Sequence, residues 1–171
     1  MNVNTQNPYI LFIKGAIQHY NSKKYWKWRD ICVKPISRTP LLKRYFQKAK
    51  QLLCLFYVKR CDAFNCASMG TDLGKGAYFK TPPILLHGLN GIIVGHDAQI
   101  GANVTILQQV TIEHGGVIIG DNVLIGKGAF IKGGVKVGNN VKIGANCVVV
   151  EDIPDNATVV LNKPRIILNN S

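Results

Sequence analysis

Along residues 91–152 an aliphatic residue followed by Gly or another small or polar residue returns every six positions. The rungs are Val94, Ile100, Ile106 and Ile112, then Ile119, Ile125, Ile131, Val137, Ile143 and Val149, with one seven-residue step from Ile112 to Ile119. A helix needs apolar residues at i, i+3, i+4 and i+7, which this stretch does not supply. A period of six suits a very short strand followed by a turn rich in Gly, Asn and Asp. Three such strands make a triangular coil. Stacked coils pair their backbones at strand spacing, roughly 4.8 Å, and bury the aliphatic ladder in a continuous core. The pattern predicts a mainly β, parallel solenoid. An ordinary β-sandwich is the competing reading, and ten rungs with a single slip disfavour it.

Leu73, Phe79 and Leu85 carry the spacing backwards and predict one looser coil before the regular ones. Between Leu85 and Val94 the register slips, so LHGLNGII includes a protruding turn. Thr81-Pro82-Pro83 fits a corner or an edge. Upstream the period changes. Tyr9, Phe12, Ile13, Ala16 and Ile17 fit one helical face, and Pro35 and Pro40 bracket a break. Residues 41–60 predict a second helix whose apolar side is Leu41, Leu42, Tyr45, Phe46, Ala49, Leu52, Leu53 and Phe56, with Lys43, Arg44, Lys48 and Lys50 outward. The expected organisation is a basic, aromatic-rich helical segment over 1–65, the solenoid over 66–153, and a C-terminal strand and tail over 154–171.

Charge follows the same division. Residues 1–60 hold 13 Lys and Arg and one acid, Asp30, and so carry the whole net charge of +12; residues 61–171 hold 8 of each sign. The basic segment is expected to be a helical cap on the solenoid, or a cap that also meets an anionic membrane or a polyanionic glycan. No recognition motif for nucleic acid accompanies the charge. No apolar run approaches 18 residues, and no basic region leads into a long apolar stretch with a cleavage site, so neither a spanning helix nor a signal peptide is expected. Five cysteines without CxxC spacing read as reduced thiols in a cytoplasmic protein.

His87, His96 and His114 each stand two residues after a rung, near turns. His96 and His114 are 18 residues apart and should stack at one corner; His87 belongs to another.

The stretches HGLNGIIVG, IGANVTILQQVTI, IGDNVLIGKGAFI and IGANCVVVEDIPDNATVV resemble the hexapeptide-repeat acyltransferases, which fold as left-handed parallel β-helices, and within them the serine acetyltransferase branch. The resemblance covers roughly residues 66–166. It implies acetyl-CoA as co-substrate, a homotrimer with sites between subunits, and His87 as a general base just before the GIIV strand. A base near neutral pKa takes the proton of a hydroxyl as it attacks a thioester, and N–H groups around Gly88 to Gly91 would stabilise the oxyanion. His114 is either an acceptor contact across the subunit interface, with Glu113, or an exposed turn residue; His96 is expected to serve its turn alone. The acetyl-CoA groove would use Gly126, Lys127, Gly128, Ala129, Gly144 and Ala145, with Lys127, Lys142, Lys163 and Arg165 for the phosphates. Turn geometry alone also accounts for the glycines. Histidines on such a helix are similar to those of γ-class carbonic anhydrases, but the spacing does not follow that pattern and no metal is expected.

The branch has an acid directly before its catalytic histidine, where this chain has Leu86, and another one coil earlier, where it has Cys66. It also has a loop with an Arg-His pair, and here Glu113-His114-Gly115-Gly116 runs straight into the next hexad. Burying a zwitterion's carboxylate unpaired is costly. The expected acceptor is therefore a sugar hydroxyl of a capsular or other surface polysaccharide, ahead of L-serine. A non-catalytic binding solenoid is the third reading. The expected location is the cytoplasm, with the inner membrane face as an option.

Overall fold

The computed structural model describes residues 20–36 and 40–162; the expected helical face from Tyr9 to Ile17, His19, Lys163 and Arg165 lie outside them. Two helices precede a parallel β-solenoid of about four turns. Every strand among the described residues is two residues long, and those of the three solenoid sheets pair with strands one coil away. One sheet stacks β1 (Ser68–Met69), β5 (Ile93–Val94), β8 (Thr111–Ile112), β11 (Phe130–Ile131) and β14 (Val148–Val149). A second stacks β4 (Tyr78–Phe79), β6 (Gln99–Ile100), β9 (Ile118–Ile119) and β12 (Lys136–Val137). The third stacks β7 (Thr105–Ile106), β10 (Leu124–Ile125), β13 (Lys142–Ile143) and β15 (Thr158–Val159).

All ten rungs from Val94 to Val149 are buried, none more than 4% exposed. Each is the second residue of its strand; the first faces outward, as the two-residue alternation of a strand requires. The turns are held by left-handed residues, Asn103, Asn122, Asn140 and Asn156 at one corner, whose side chains hydrogen-bond from coil to coil. At the seven-residue step the extra residue is absorbed by Gly115 and Gly116, at φ 109° and 76°.

The first coil departs from expectation at one rung. Leu73 is exposed, at the tip of an antiparallel hairpin of β2 (Thr71–Asp72) and β3 (Lys75–Gly76). Its place is taken by the fully buried Met69, in register with Val94. The reason is local. Gly70 and Gly76 approach each other so closely that a Cβ on Gly76 would stand 2.4 Å from the Gly70 carbonyl oxygen, and this fold-back diverts the chain away from the prism wall. Phe79 pairs in register with Ile100, and Ile84 bridges Thr105, which sets Leu85 over Ile106 as the spacing predicts.

The helices are α1 (Ser22–Val33) and α2 (Leu41–Phe64). Asn21 caps α1 by accepting the Lys24 N–H at 3.0 Å. The carbonyls of Ile31 and Lys34 at its far end take both N–H groups of the Gln51 carboxamide, at 3.1 and 2.7 Å. Arg29, 4% exposed, joins α1 to the solenoid: its guanidinium donates to the carbonyls of Met69 (3.0 Å) and Ala77 (2.6 Å) and lies over the ring of Phe79.

The face that α2 turns inward differs from the expected one. Gln51, Cys54, Val58, Cys61 and Asp62 are buried, whereas Leu41, Leu42, Tyr45, Phe46, Leu52, Leu53 and Phe56 are 55–73% exposed. The inward polar groups are tolerated because they have partners, Gln51 at the end of α1 and Asp62 with the Tyr25 hydroxyl, which donates to Oδ1 at 2.6 Å. Four of the cysteines are buried and Cys66 is exposed, all as free thiols.

The second Asp62 oxygen is buried with no hydrogen-bond partner among the described residues, and burial pushes the carboxyl up to about 6. The folded chain therefore holds this proton more tightly than the unfolded chain. The stabilising contribution is present below the ordinary carboxylate range and is lost as pH rises towards about 6. Asp62→Asn keeps an acceptor for Tyr25 and removes the titration. Denaturant unfolding at a series of pH values should show the wild type losing about 2 kcal/mol, relative to Asp62→Asn, across that window. Parallel curves for the two proteins would assign the pH dependence elsewhere.

Candidate active site

The prism has three kinds of corner, and the residues with chemistry divide between two of them. At the corner that leads from the third sheet into the first, turns stack coil upon coil. Turn N–H groups donate to the turn one coil earlier: Gln109 to the Asn90 carbonyl (3.0 Å), Gly128 to Gln108 (3.1 Å) and Asn146 to Lys127 (2.7 Å). His87 stands on the first of these turns, and Lys127 and Ala145 on the third and fourth. The candidate base and the candidate groove thus share one edge of the molecule. At roughly 4.8 Å per coil, the Ala145 turn is about 14 Å along that edge from the His87 turn.

Nine positions separate the rungs Leu85 and Val94 instead of six, and the surplus forms the protruding turn that carries His87. The turn is pinned independently of the histidine. Leu89 is fully buried, Gly88 and Gly91 take left-handed φ of 67° and 65°, and the Gly91 N–H donates to the Asn65 carbonyl at 2.9 Å. A side chain on Gly91 would press within 3.1 Å of Gln109, so the close coil contact needs glycine there. His87 itself is exposed, as is Leu86 beside it. The Gly88 and Gly91 N–H groups are engaged, with Leu85 and Asn65, so they do not stand free as the expected oxyanion donors. Those of Leu89 and Asn90 have no backbone acceptor among the described residues.

The groove residues sort by burial. Lys127 and Ala145 are exposed and Gly144 is half-buried. The Ala129 side chain is fully buried, in the column between Val110 and Cys147, so it faces the core and cannot line a groove as expected. Gly126 is also buried, and a Cβ there would come within 2.6 Å of the Ala145 nitrogen; coil stacking alone requires this glycine. Lys142 is exposed on β13, leading into the Ala145 turn. One residue of this corner carried no expectation. Gln108, in the turn one coil beyond His87, has its side-chain oxygen buried without a hydrogen-bond partner. A stranded acceptor of this kind costs about 1–3 kcal/mol. The doubled glutamine of LQQVTI was the visible signal.

His96 and His114 occupy the corner that leads from the first sheet into the second. Their rings stack with centroids 5.1 Å apart, as the 18-residue spacing predicts. The His114 Nδ1 accepts the His96 N–H at 3.3 Å, and His96 Nε2 lies 3.3 Å from an Asp72 oxygen. Asp97 accepts the N–H groups of Gly115 and Gly116, both at 2.9 Å, and these bonds hold its carboxyl below the usual range. Glu113 accepts the Gly133 N–H at 2.9 Å. The acids of this corner cap the glycine turns of the following coil. Within one chain His114 and His87 are not brought together. Among the described residues no group of three or more His, Cys, Asp or Glu converges as metal ligands.

Two family models match the chain: "Bacterial transferase hexapeptide (six repeats)" over residues 116–150 and "Hexapeptide repeat of succinyl-transferase" over residues 88–108. A curated relative, the serine acetyltransferase of Staphylococcus xylosus, is 40% identical over 98 residues, covering 53% of this chain and 45% of its own. The solved serine acetyltransferase of Neisseria gonorrhoeae in complex with serine superposes with a TM-score of 0.60 at 29% identity, covering 95% of this chain and 63% of its own. The two hexapeptide-repeat models, the parallel β-solenoid and the serine acetyltransferase neighbours together liken the chain to the hexapeptide-repeat acyltransferases, in their serine acetyltransferase-like branch. A serine acetyltransferase solved in complex with CoA matches over 81% of this chain and 54% of its own, with a TM-score of 0.59 and 26% identity. The chain spans about half the length of the curated relatives it matches.

Proposed function

We propose that the protein is an acetyl-CoA-dependent O-acetyltransferase with His87 as its general base. The observation that carries this reading is the single edge on which His87, the unsatisfied Gln108 oxygen, Lys127 and the small Ala145 follow one another along stacked turns. A pantetheine arm laid along that edge meets backbone and small side chains, with Lys127 and Lys142 near the phosphate end. Lys163 and Arg165 remain candidates for the same phosphates. His87 takes the proton of the acceptor hydroxyl as its oxygen attacks the thioester carbonyl. The carbon–sulfur bond breaks, and the proton passes to the departing CoA sulfur.

His87 stands on an exposed corner, so a second wall has to come from elsewhere. A homotrimer of such prisms supplies it, and only across an interface between copies can His114 approach His87. Use of acetyl-CoA favours the cytoplasm as the location.

The family members named above are serine acetyltransferases, which favours L-serine over the sugar hydroxyl expected from sequence, and we put L-serine first as acceptor. A sugar of a surface polysaccharide is the second reading. It is favoured by Leu86, an exposed apolar residue beside His87, and by the lack of any ion pair to His87 among the described residues. Thiol release from acetyl-CoA, measured with L-serine beside a panel of oligosaccharides, separates the two. Release that requires L-serine supports the first, and release only with a sugar supports the second. No release with either, and no thermal stabilisation by CoA, would leave a non-catalytic solenoid.

A further inference from the structure

A run of exposed large apolar side chains on α2 stands apart from the His87 edge. On α2 a helical wheel places Leu42, Tyr45, Phe46, Leu52, Leu53 and Phe56 within one arc of about a third of a turn, opposite the buried side formed by Cys54, Val58 and Asp62. Each of the six is 55–71% exposed, so this arc faces away from the solenoid. Contiguous exposed apolar surface of this extent marks a place that something covers. The β2–β3 hairpin extends it: Leu73 at the hairpin tip is 45% exposed and shares with Leu52, Pro35, Ile36 and Lys48 the lining of a cleft of about 510 Å³.

Charge identifies the occupant. Lys50 borders one side of the arc and Lys48 the other, and Lys43 and Arg44 stand farther round in the first turn of the helix, all in exposed positions. No acid precedes Asp62 in α2, and Asp62 is buried on the far side. A second copy of this helix would set cations against cations with no carboxylate to pair them, the reverse of what flanking positions do in stable helix pairs. An anionic interface complements both flanks at once. The solenoid has no net charge of its own to compete, since the excess lies entirely in residues 1–60. No helix among the described residues is long and apolar enough to cross a membrane, and an apolar arc with a cationic border is the form of a helix that lies on one.

We propose that the outward face of α2, from Leu42 to Phe56 with its flanking Lys43, Arg44, Lys48 and Lys50, is a docking surface for an anionic lipid bilayer. The helix lies in the interfacial plane, with its aromatic and leucine side chains at the headgroup–acyl boundary and its cations among the phosphates. The solenoid is then held against the bilayer by one end, with its corners exposed to the aqueous phase. This stands apart from the acetyl-transfer reading: neither the arc nor its cations belong to the His87 edge.

Co-sedimentation of the full chain with phosphatidylcholine vesicles, with and without phosphatidylglycerol, tests it. The wild type should bind the phosphatidylglycerol vesicles, bind pure phosphatidylcholine at least about tenfold more weakly, and release as salt rises from about 0.1 M to about 0.5 M. Phe46→Glu with Leu53→Glu should abolish binding. Because both side chains are exposed, the circular dichroism spectrum and acetyl-CoA turnover should be unchanged. If that variant misfolds, Lys43→Gln with Arg44→Gln and Lys48→Gln gives an independent reading, expected to weaken binding on the order of a hundredfold. Absence of wild-type binding to phosphatidylglycerol vesicles overturns the proposal, as does binding that neither set of substitutions reduces. A fall in oligomer size of Phe46→Glu with Leu53→Glu in sedimentation velocity, without vesicles, overturns it in favour of a second copy as the occupant.

Discussion

His87→Ala is expected to lower acetyl transfer by about 10²–10⁴-fold while leaving the fold and CoA binding in place. The size follows from what the substitution removes. A hydroxyl is a poor nucleophile until its proton has somewhere to go, and a positioned imidazole is the base that can take it near neutral pH. The specificity follows from how the turn is built. Leu89 anchors it in the core, Gly88 and Gly91 set its backbone, and the Gly91 N–H is tied to Asn65. None of these elements uses the imidazole, which is exposed. The thermal midpoint should therefore stay within a degree or two of the wild type, and the CoA-induced rise in that midpoint should persist. Steady-state thiol release measures the first effect and thermal shift the second. Turnover near the wild-type level would remove His87 from the mechanism. A joint loss of activity and CoA stabilisation would make the residue part of the binding edge instead.

The solenoid was legible in the sequence because its core is written locally. Each rung is the inward residue of a two-residue strand, and its neighbours in space lie one period away in the chain, so the period alone places Val94 to Val149 inside. The same logic brought His96 and His114 together and placed His87 on another corner. It failed where the chain leaves the period. Met69 displaced Leu73 because a glycine-dependent fold-back, invisible to hydrophobic spacing, diverts the chain between them. At Ala129 residue type does not decide, because small residues suit both a groove and a crowded core column, and only the stacking between Val110 and Cys147 sets it in the core. In α2 the period was right and the direction wrong. Helical spacing says which residues share a face, but not which face meets the body. The inward side contains Gln51 and Asp62, whose partners on α1 are 20 and 37 residues away.

Arg29 is the residue on which that docking most depends, and Arg29→Ala should destabilise the helical segment by about 3–5 kcal/mol. Along the chain it stands in a basic stretch with Lys23, Lys24 and Lys27, all three of which are exposed. In the structure it is the buried link between α1 and the first coil. One guanidinium bonds the Met69 and Ala77 carbonyls and lies 4.6 Å from the centre of the Phe79 ring. Truncation strands two buried acceptors, at about 1–3 kcal/mol each, and opens a gap beneath Trp26 and Phe79. Arg29→Lys should recover little, because a single ammonium neither spans both carbonyls in a fixed plane nor stacks as a guanidinium does. The loss should be confined. Rungs from Val94 onward are held by coil-to-coil pairing that Arg29 does not touch, so hydrogen exchange should accelerate in residues 20–36 and 68–79 while 92–159 stay protected. Uniform acceleration would mean that helices and solenoid unfold as one unit. A change in unfolding free energy under about 0.5 kcal/mol would mean that water replaces the guanidinium at both carbonyls. With the expected outcome, α2 and its outward face are carried on the solenoid chiefly through Arg29, Tyr25 and Gln51, polar links that hydrophobic spacing alone does not reveal.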